Sequence, residues 1–573
     1  MEAKKAGGAE ALLKVLRRAG VERIFASPGS EWSPLYEALA APHGPGEIPD
    51  YLSTRHEETA VAMASGYAKI TGKLPAVVIH TTVGALHAAM AMRAALHERV
   101  PMVVLAGESI AFGEAPGHDP GHQWLRLLAD VGGPAALVER CVKFSHGANA
   151  AALLPRVIER ACQLAAAEPQ GPVFVSVPME FLFEEVALGE HAAVAHVPAP
   201  QAPLETIERI AEELSKAKAP VIVSEELGRR PRAVEHLVAI AELLAAPVLE
   251  TWNISYANFP RTHPLYAGAG GTDLAAEYVR ESDCVALVET VVPWHPPSAL
   301  PRPGTKLIAL GGDPLQSHLV MAGARADLIA AGDVESALAL LRQRLAQRVP
   351  SGTRNAAIER WRTRHEERRR AQREEARVLA ERKPIDTRWV AVELDEVLPA
   401  DAIVVSETIT HRRPLHRYLS HVGPGRFFEG CYGGLGTGTG TALGAKVAMR
   451  DRPVVLLTGD GSFNYNPVLS ALGASQEHAL PILIVVFNNF GYLSQKRGVP
   501  THFPDGWAVK SKRFAGTSIA PSPDYAGLAP LFGGYGERVE EPRDVRPALE
   551  RGLAAIADGR LAILDVRLEP TNA

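Results

Sequence analysis

Cysteine is scarce in this chain. Its four cysteines, Cys141, Cys162, Cys284 and Cys431, stand far apart and form no C-x-x-C pair. That pattern excludes a zinc ribbon or a disulfide framework and fits a reducing cytoplasm. Long apolar runs are also missing: none approaches the ~20 residues that a membrane-spanning helix needs. The first residues, Met1-Glu-Ala-Lys-Lys5, lack the apolar stretch of a signal peptide. Nor is there an excess of basic charge. The 60 Lys and Arg are outnumbered by 65 Asp and Glu, for a net charge of −5, which argues against nucleic acid as a partner. The expectation is a cytoplasmic protein with neither a membrane nor a nucleic-acid partner.

What is present is apolar material in short, buried-looking runs. At 573 residues, 47% of them hydrophobic, the chain is too long for one core, and three domains are expected. Pro75–Ile79, Pro101–Ala106, Pro172–Val177, Pro220–Ser224, Cys284–Val288, Lys306–Leu310, Ala402–Val405, Pro453–Leu457, Pro481–Phe487 and Ala562–Val566 are β-branched runs without alternation. Strands buried on both faces look like this, and the helical patterns between them make β-α-β units. The fold class is therefore α/β, in doubly wound parallel sheets whose function lies at the carboxyl ends of the strands. Two composition shifts divide the chain. His191–Pro203 is rich in Pro and Ala, and Ser351–Pro384 carries RWRTRHEERRRAQREEARVLAERKP. In the latter, acids interleave with bases, so it reads as a solvated connecting helix. The domains expected are 1–190, 204–346 and 385–573, with 347–384 as the charged linker.

The strongest local signal is Pro453-Val-Val-Leu-Leu-Thr-Gly-Asp-Gly-Ser462. The apolar run stops in Gly459-Asp460-Gly461, which puts a carboxylate at a strand end between glycines that admit a ligand closely. A second buried run, Pro481–Phe487, leads into Asn488-Asn489-Phe490-Gly491. Neighbouring strand ends would offer a carboxylate, an amide oxygen and a free carbonyl, an all-oxygen set suited to Mg²⁺. Backbone N–H groups at Gly461 and Ser462 would hold an anion where the next helix starts. A lone Gly-Asp-Gly is a common turn. With Asn-Asn at the next strand end, and residues 462–487 between them, it resembles the motif of thiamine-diphosphate enzymes.

The resemblance to the thiamine-diphosphate decarboxylase and acetolactate synthase family extends over the whole chain. It implies an aminopyrimidine-binding, a central and a diphosphate-binding domain, in that order. It also implies that Asp460, Asn489 and the Gly491 carbonyl ligate Mg²⁺, with Gly459 and Tyr492 beside the cofactor. In Tyr432-Gly-Gly-Leu-Gly436, which by itself also suits a phosphate nest or a tight turn, it implies that Leu435 wedges under the cofactor. The Gly433 carbonyl would accept from its 4′-amino group. The following Thr439-Gly440 departs from the family's usual Leu-Pro. Thr408, Ile409 and Thr410, at the end of another strand, would lie beside the diphosphate, and His411 and Arg412 would face phosphate or solvent.

Thr54-Arg-His-Glu-Glu-Thr-Ala-Val-Ala-Met-Ala-Ser-Gly-Tyr-Ala68 resembles the family's activating signature. The resemblance makes Glu57 the carboxyl group against N1′ of the aminopyrimidine, although Glu57 alone would also suit a helix start. Its small residues are expected where the cofactor ring approaches. Because the family divides the two halves between subunits, a homodimer or homotetramer is implied.

Within the family the motifs are most similar to benzoylformate decarboxylase. Phe25-Ala-Ser-Pro-Gly-Ser30 matches a segment whose Ser binds the substrate carboxylate, and Ile79-His80 one whose His transfers protons. His295, in Pro293-Trp-His-Pro-Pro297, is the candidate for a second catalytic His. Ser30 equally suits a P-G-S turn, and His80 a satisfied structural histidine. Gln123 is a weaker candidate, and His118 and His122 do not match the paired histidines of pyruvate decarboxylase. Thr81–His87 departs from the acetolactate synthase pattern. Gly268-Ala-Gly-Gly-Thr272 is expected to be a turn with no strand leading into it, and Lys496–Pro523 is a candidate lid beside Tyr492, Leu493 and Ser494.

The implied reaction is decarboxylation of a 2-oxo acid. The alternatives are an acyloin-forming carboligase like acetolactate synthase, a CoA-ester lyase, a flavin oxidase, or a non-catalytic cofactor-fold subunit.

Overall fold

The apolar runs form strands hidden on both faces. In the computed structural model, which describes residues 5–108, 130–189, 193–269, 273–294, 300–316, 319, 325–350, 352–430 and 434–571, they assemble into three six-stranded parallel sheets. The first has the spatial order Asp50–Ser53, Arg23–Ser27, Ala76–Ile79, Met102–Glu108, Pro172–Pro178, Phe144–Gly147. In the second the order is Tyr266–Ala269, Val248–Glu250, Pro220–Ser224, Cys284–Val288, Lys306–Gly311, Leu328–Ala331. The third runs Phe427–Glu429, Ile403–Glu407, Val454–Gly459, Leu483–Asn488, Ala562–Arg567, Tyr535–Val539. A short antiparallel pair, Lys5–Gly7 with Glu185–Ala187, closes the first sheet's segment.

Each sheet is wound outward from its middle in both directions, so each has a switch point where the connections diverge. In the first sheet it lies between the paired ends Ser27 and Ile79. In the second it lies between Ser224 and Val288, and in the third between Ile403–Glu407 and Val454–Gly459. The first switch point therefore presents Pro28-Gly29-Ser30 and His80. The third presents Thr408–Thr410 and Asp460.

The chain forms two compact units. One comprises residues 1–198, 432–451 and 463–482 and contains the first sheet; the other comprises 199–431, 452–462 and 483–573 and contains the second and third. In the first unit, the helix Glu57–Thr71 packs on the helix Gly438–Ala448 almost backbone to backbone. A Cβ on Gly66 would sit 2.0 Å from the Thr441 carbonyl oxygen, and one on Gly444 1.9 Å from that of Met63. Gly440 meets Ala62 and Thr59 in the same way. The contacts Thr59–Gly440 and Met63–Gly444 advance together along both helices, so the two run parallel with their amino ends side by side. Gly66 and Ala62 of the 54–68 signature are thus small where this packing needs them to be.

One expectation is corrected, and one segment gains detail. A strand, Tyr266–Ala269, does run through Gly268 at the outer edge of the second sheet, while residues 270–272 of the expected turn lie outside the described residues. The candidate lid Lys496–Pro523 carries the end of the helix Leu493–His502 and the helix Trp507–Ser511.

Interiors this closely packed do not absorb even one methyl group without strain. Gly66→Ala is expected to cost about 1–3 kcal/mol, seen as a lower denaturation midpoint with secondary structure retained. An unchanged midpoint would show that the helix contact is looser than described.

Candidate functional site

Strand ends in the first sheet bring the sequence candidates to one crevice. His80 follows Ala76–Ile79, and its Nδ1 lies 2.9 Å from both carboxylate oxygens of Glu31. Glu31 is 1% exposed. It has room there because a Cβ on Gly107, on the adjacent Met102–Glu108 strand, would run into its side chain. Trp32 Nε1 donates to the Ile79 carbonyl at 2.8 Å and ties the Ser30 turn to the His80 strand. The Glu31 carboxylate raises the His80 pKa above its ordinary value, against burial, which lowers it. Ser30 itself is exposed at the mouth of the turn, with its carbonyl held by the Ser33 hydroxyl at 2.6 Å.

Glu57 is buried at the first position of its helix. Its Oε2 lies 3.1 Å from His87 Nδ1. Gly84 makes space between the two candidates: a Cβ there would stand 3.0 Å from the His80 Cβ and 3.1 Å from Glu57 Oε1. His56 caps the same helix, accepting from the Glu58 N–H through Nδ1, and its ring stacks on His87 with centroids 5.0 Å apart. Leu435 is half-buried, and its neighbour Gly436 comes against the Glu58 carboxylate, where a Cβ would be 3.0 Å from Oε1. Arg55 leans over Gly473 and pairs with Glu477 at 3.7 Å, so the signature's arginine anchors the turn. Glu57, His80 and Leu435 therefore lie around the amino end of one helix. Glu31, His56 and His87 were not singled out from the sequence. The placement of His87 three residues after Gly84, on the same helical face, was the available signal.

The second unit holds the other group. Val454–Gly459 and Leu483–Asn488 are paired neighbours with Gly459 opposite Phe487, so Asp460 and Asn489 leave adjacent strand ends. Asp460 is 2% exposed and accepts from the Gly461 N–H at 2.8 Å and the Gly491 N–H at 3.0 Å. Burial pushes its carboxyl up to about 6, against those N–H donors. The Asn489 side-chain oxygen faces Asp460 Oδ1 at 3.0 Å and the Gly491 carbonyl at 2.8 Å. Turned over, the amide would instead donate to both and accept from Thr571 Oγ1 at 3.2 Å. A carboxylate, a side-chain amide and a backbone carbonyl thus meet at one point, and with the amide oxygen turned inward they would make a donor set that fits a hard divalent cation. Such a cation would also reverse the burial shift on Asp460.

Around this set, the Tyr492 ring lies over Gly461. Asn488, the first of the pair, turns away and donates to buried Asp565 at 2.8 Å. Gly459 ends its strand, Ser462 is buried, and Thr408 is buried with its hydroxyl 3.2 Å from that of Ser406. Ile409 is exposed, while Thr410 and Asn489 line a cavity of about 310 Å³. His411 and Arg412 do not reach solvent. His411 stacks on Phe487, with its pKa pushed down to about 4 by burial, and Arg412 pairs with Asn253 and Glu429. Gly433, His295, His118, His122 and Gln123 lie outside the described residues.

Parallel sheets with these groups at their switch points define a cofactor-binding α/β enzyme. Residues 7–123 match the N-terminal TPP binding domain of thiamine pyrophosphate enzymes, 207–341 their central domain, and 410–566 their C-terminal TPP binding domain. The chain belongs to the thiamine pyrophosphate enzyme family. It is 28% identical to the acetolactate synthase isozyme 3 large subunit of Escherichia coli, over 98% of this chain and 95% of that one. It is 26% identical to benzoylformate decarboxylase of Pseudomonas aeruginosa, over 97% and 98%. The fold matches a solved thiamin diphosphate-dependent enzyme from Mycobacterium smegmatis with a TM-score of 0.78 at 26% identity, over 99% of this chain and 100% of that one. Among the described residues no helix is long and apolar enough to cross a membrane.

Two outcomes test these geometries. Asp460→Asn should weaken Mg²⁺-dependent retention of thiamine diphosphate by on the order of 100-fold, measured by calorimetric titration; equal affinity would dismiss the oxygen set as a metal site. Glu31→Gln should lower the His80 pKa, because the group that raises it loses its charge. The imidazole NMR titration would then move to lower pH, and an unmoved curve would break the Glu31–His80 link.

Proposed function

We propose that the protein is a Mg²⁺- and thiamine-diphosphate-dependent C–C lyase that decarboxylates a 2-oxo acid, in the manner of benzoylformate decarboxylase. The observation that carries this reading is the meeting of Glu57 and His80 around Gly84, at a crevice whose other lip is the Ser30 turn. Thiamine diphosphate supplies, when bound, the electron sink that accepts the pair left by a departing carboxyl group. Asp460, Asn489 and the Gly491 carbonyl would hold Mg²⁺, with Thr408, Ile409, Thr410, Gly459, Gly461, Ser462 and Tyr492 beside the diphosphate. Leu435 and Gly433 would set the cofactor's posture.

The chain's own residues then divide the proton work. Glu57, at the buried start of its helix, would face N1′ of the aminopyrimidine and hand a proton to and from it. The Ser30 hydroxyl receives the substrate carboxylate. Glu31 accepts from His80 Nδ1–H, which leaves His80 Nε2 as the nitrogen that moves a proton at the reacting carbon. His295 is the second candidate for that step.

A carboligase is the second reading, supported by the likeness to acetolactate synthase: if an aldehyde or second oxo acid arrives before the proton, the product is an acyloin. A CoA-ester lyase, a flavin oxidase and a non-catalytic subunit rank behind it. At the second sheet's switch point, buried Glu225 and Glu289 accept backbone N–H groups of Val291 and Gly312 that a nucleotide phosphate would otherwise take. We take 1–190, 204–346 and 385–573 as the domains, linked by 347–384. By the family pattern we propose a homodimer or homotetramer with interfacial sites. The unpaired Cys141, Cys162 and Cys284 support a cytoplasmic setting.

CO₂ release from a panel of 2-oxo acids, including benzoylformate and pyruvate, with products identified, tests the assignment. Free aldehyde is expected; acyloin would make the enzyme a carboligase, and no release from any acid would discard both. Glu57→Gln should reduce turnover by ~10²–10⁴-fold, the scale of general acid–base catalysis, and Ser30→Ala should raise KM for the oxo acid.

A further inference from the structure

The second unit contains a cavity of about 550 Å³ that the reaction leaves unused. It lies against the outer edge strand of the second sheet, Tyr266–Ala269, and is walled by the charged helix Asn355–Arg377 and the helix Arg412–Tyr418. Nucleotides in doubly wound sheets bind at the switch crevice, and this cavity is at the edge instead. Its volume is within the range of small-molecule sites, ~300–1,000 Å³.

The lining chemistry is of one sign. Seven arginines and two histidines face the cavity, and no acidic side chain among the described residues does. Several of the arginines are held from behind. Glu250 pairs with Arg261, Glu429 with Arg412 and His416, and Glu375 with Arg388 and Arg417; Asp386 also pairs with Arg388. Glu250, Glu429, Glu375 and Asp386 thus stand behind four of the seven arginines, and Asp395, bonded to Ser420, acts on Arg369. Arg368 reaches only neutral oxygens, the carbonyls of Tyr266 at 2.6 Å and Ala267 at 3.1 Å, together with the ring nitrogen of His365. Arg369 donates to the Ser420 hydroxyl at 2.6 Å.

Buried donors at the wall also lack partners. His365 is 6% exposed and Arg261 2%, yet His365 Nε2 and Arg261 Nε have no hydrogen-bond partner. Such groups cost free energy unless a ligand satisfies them. Burial, and after it the adjacent Arg368 and Arg369, push the His365 pKa down to about 4. At the open side, the Arg413 guanidinium lies over the Trp252 ring at 4.5 Å.

We propose that this cavity binds a small phosphate-bearing anion, at a site separate from the cofactor cradle. A phosphate group carries about −1.5 to −2 at neutral pH, opposite in sign to the seven arginines of the lining. Arginine forks match phosphate oxygens two at a time.

The test is calorimetric titration of inorganic pyrophosphate into the holoenzyme, with thiamine diphosphate and Mg²⁺ saturating so that the cofactor's own cradle is filled. One additional site per chain is expected. Arg413→Gln, on the exposed side, and Arg368→Gln should each weaken it at least tenfold while cofactor affinity and basal turnover hold. If Arg368→Gln fails to fold, Arg413→Gln decides alone. Absence of binding, equal binding by the variants, or binding of citrate but not pyrophosphate would each overturn the proposal.

Discussion

The contact between the helices Glu57–Thr71 and Gly438–Ala448 is the constraint on which the first unit depends. Three glycines, Gly66, Gly440 and Gly444, let the backbones touch where any side chain would force them apart. Because the helices run parallel, their amino ends arrive together. Glu57 begins one, and Leu435 stands three residues before the other. A carboxylate at a helix start is favoured by the dipole, so the packing that orders the helices also supports the group expected to do chemistry.

The sheets apply the same economy. Each is a doubly wound parallel sheet with one switch point, but the three are furnished differently. The first offers a hydroxyl and a histidine backed by Glu31; the third offers threonines and an oxygen donor set. The second fills its crevice with buried carboxylates that cap backbone N–H groups, and its positive charge sits instead at the outer edge, along the linker helix. One architecture thus provides a proton-handling site, a cation site and an arginine-lined wall through its loops alone.

Much of this was legible in the residues. Apolar runs without alternation located strands such as Pro220–Ser224 and Cys284–Val288, because burial on both faces leaves no polar periodicity to misread. Gly459-Asp460-Gly461 and Asn488-Asn489 were legible as a pair because both follow such runs. Shorter edge strands such as Tyr266–Ala269 and Phe144–Gly147 were not, since a half-exposed run of four residues differs little from a loop. The signature at 54–68 was readable as a motif, but the close packing of Gly66 and Ala62 against a helix hundreds of positions away was not. Glu31 was hidden for a similar reason: only the missing side chain of Gly107 on a neighbouring strand shows that a buried carboxylate fits there. The arginines of 351–384 read as a solvated helix because sequence shows their acidic neighbours but not which side chains meet across space.

The first unit is assembled from three separate stretches of chain, 1–198, 432–451 and 463–482. During synthesis, its sheet emerges long before the segment that covers the Gly66 face. At ~5–20 residues per second, the interval is on the order of tens of seconds. Throughout that wait the nascent domain carries an uncovered stripe of small apolar residues, which is a target for chaperones and a hazard for aggregation. A ribosome stalled anywhere in the second sheet would release a fragment that cannot finish its own first domain.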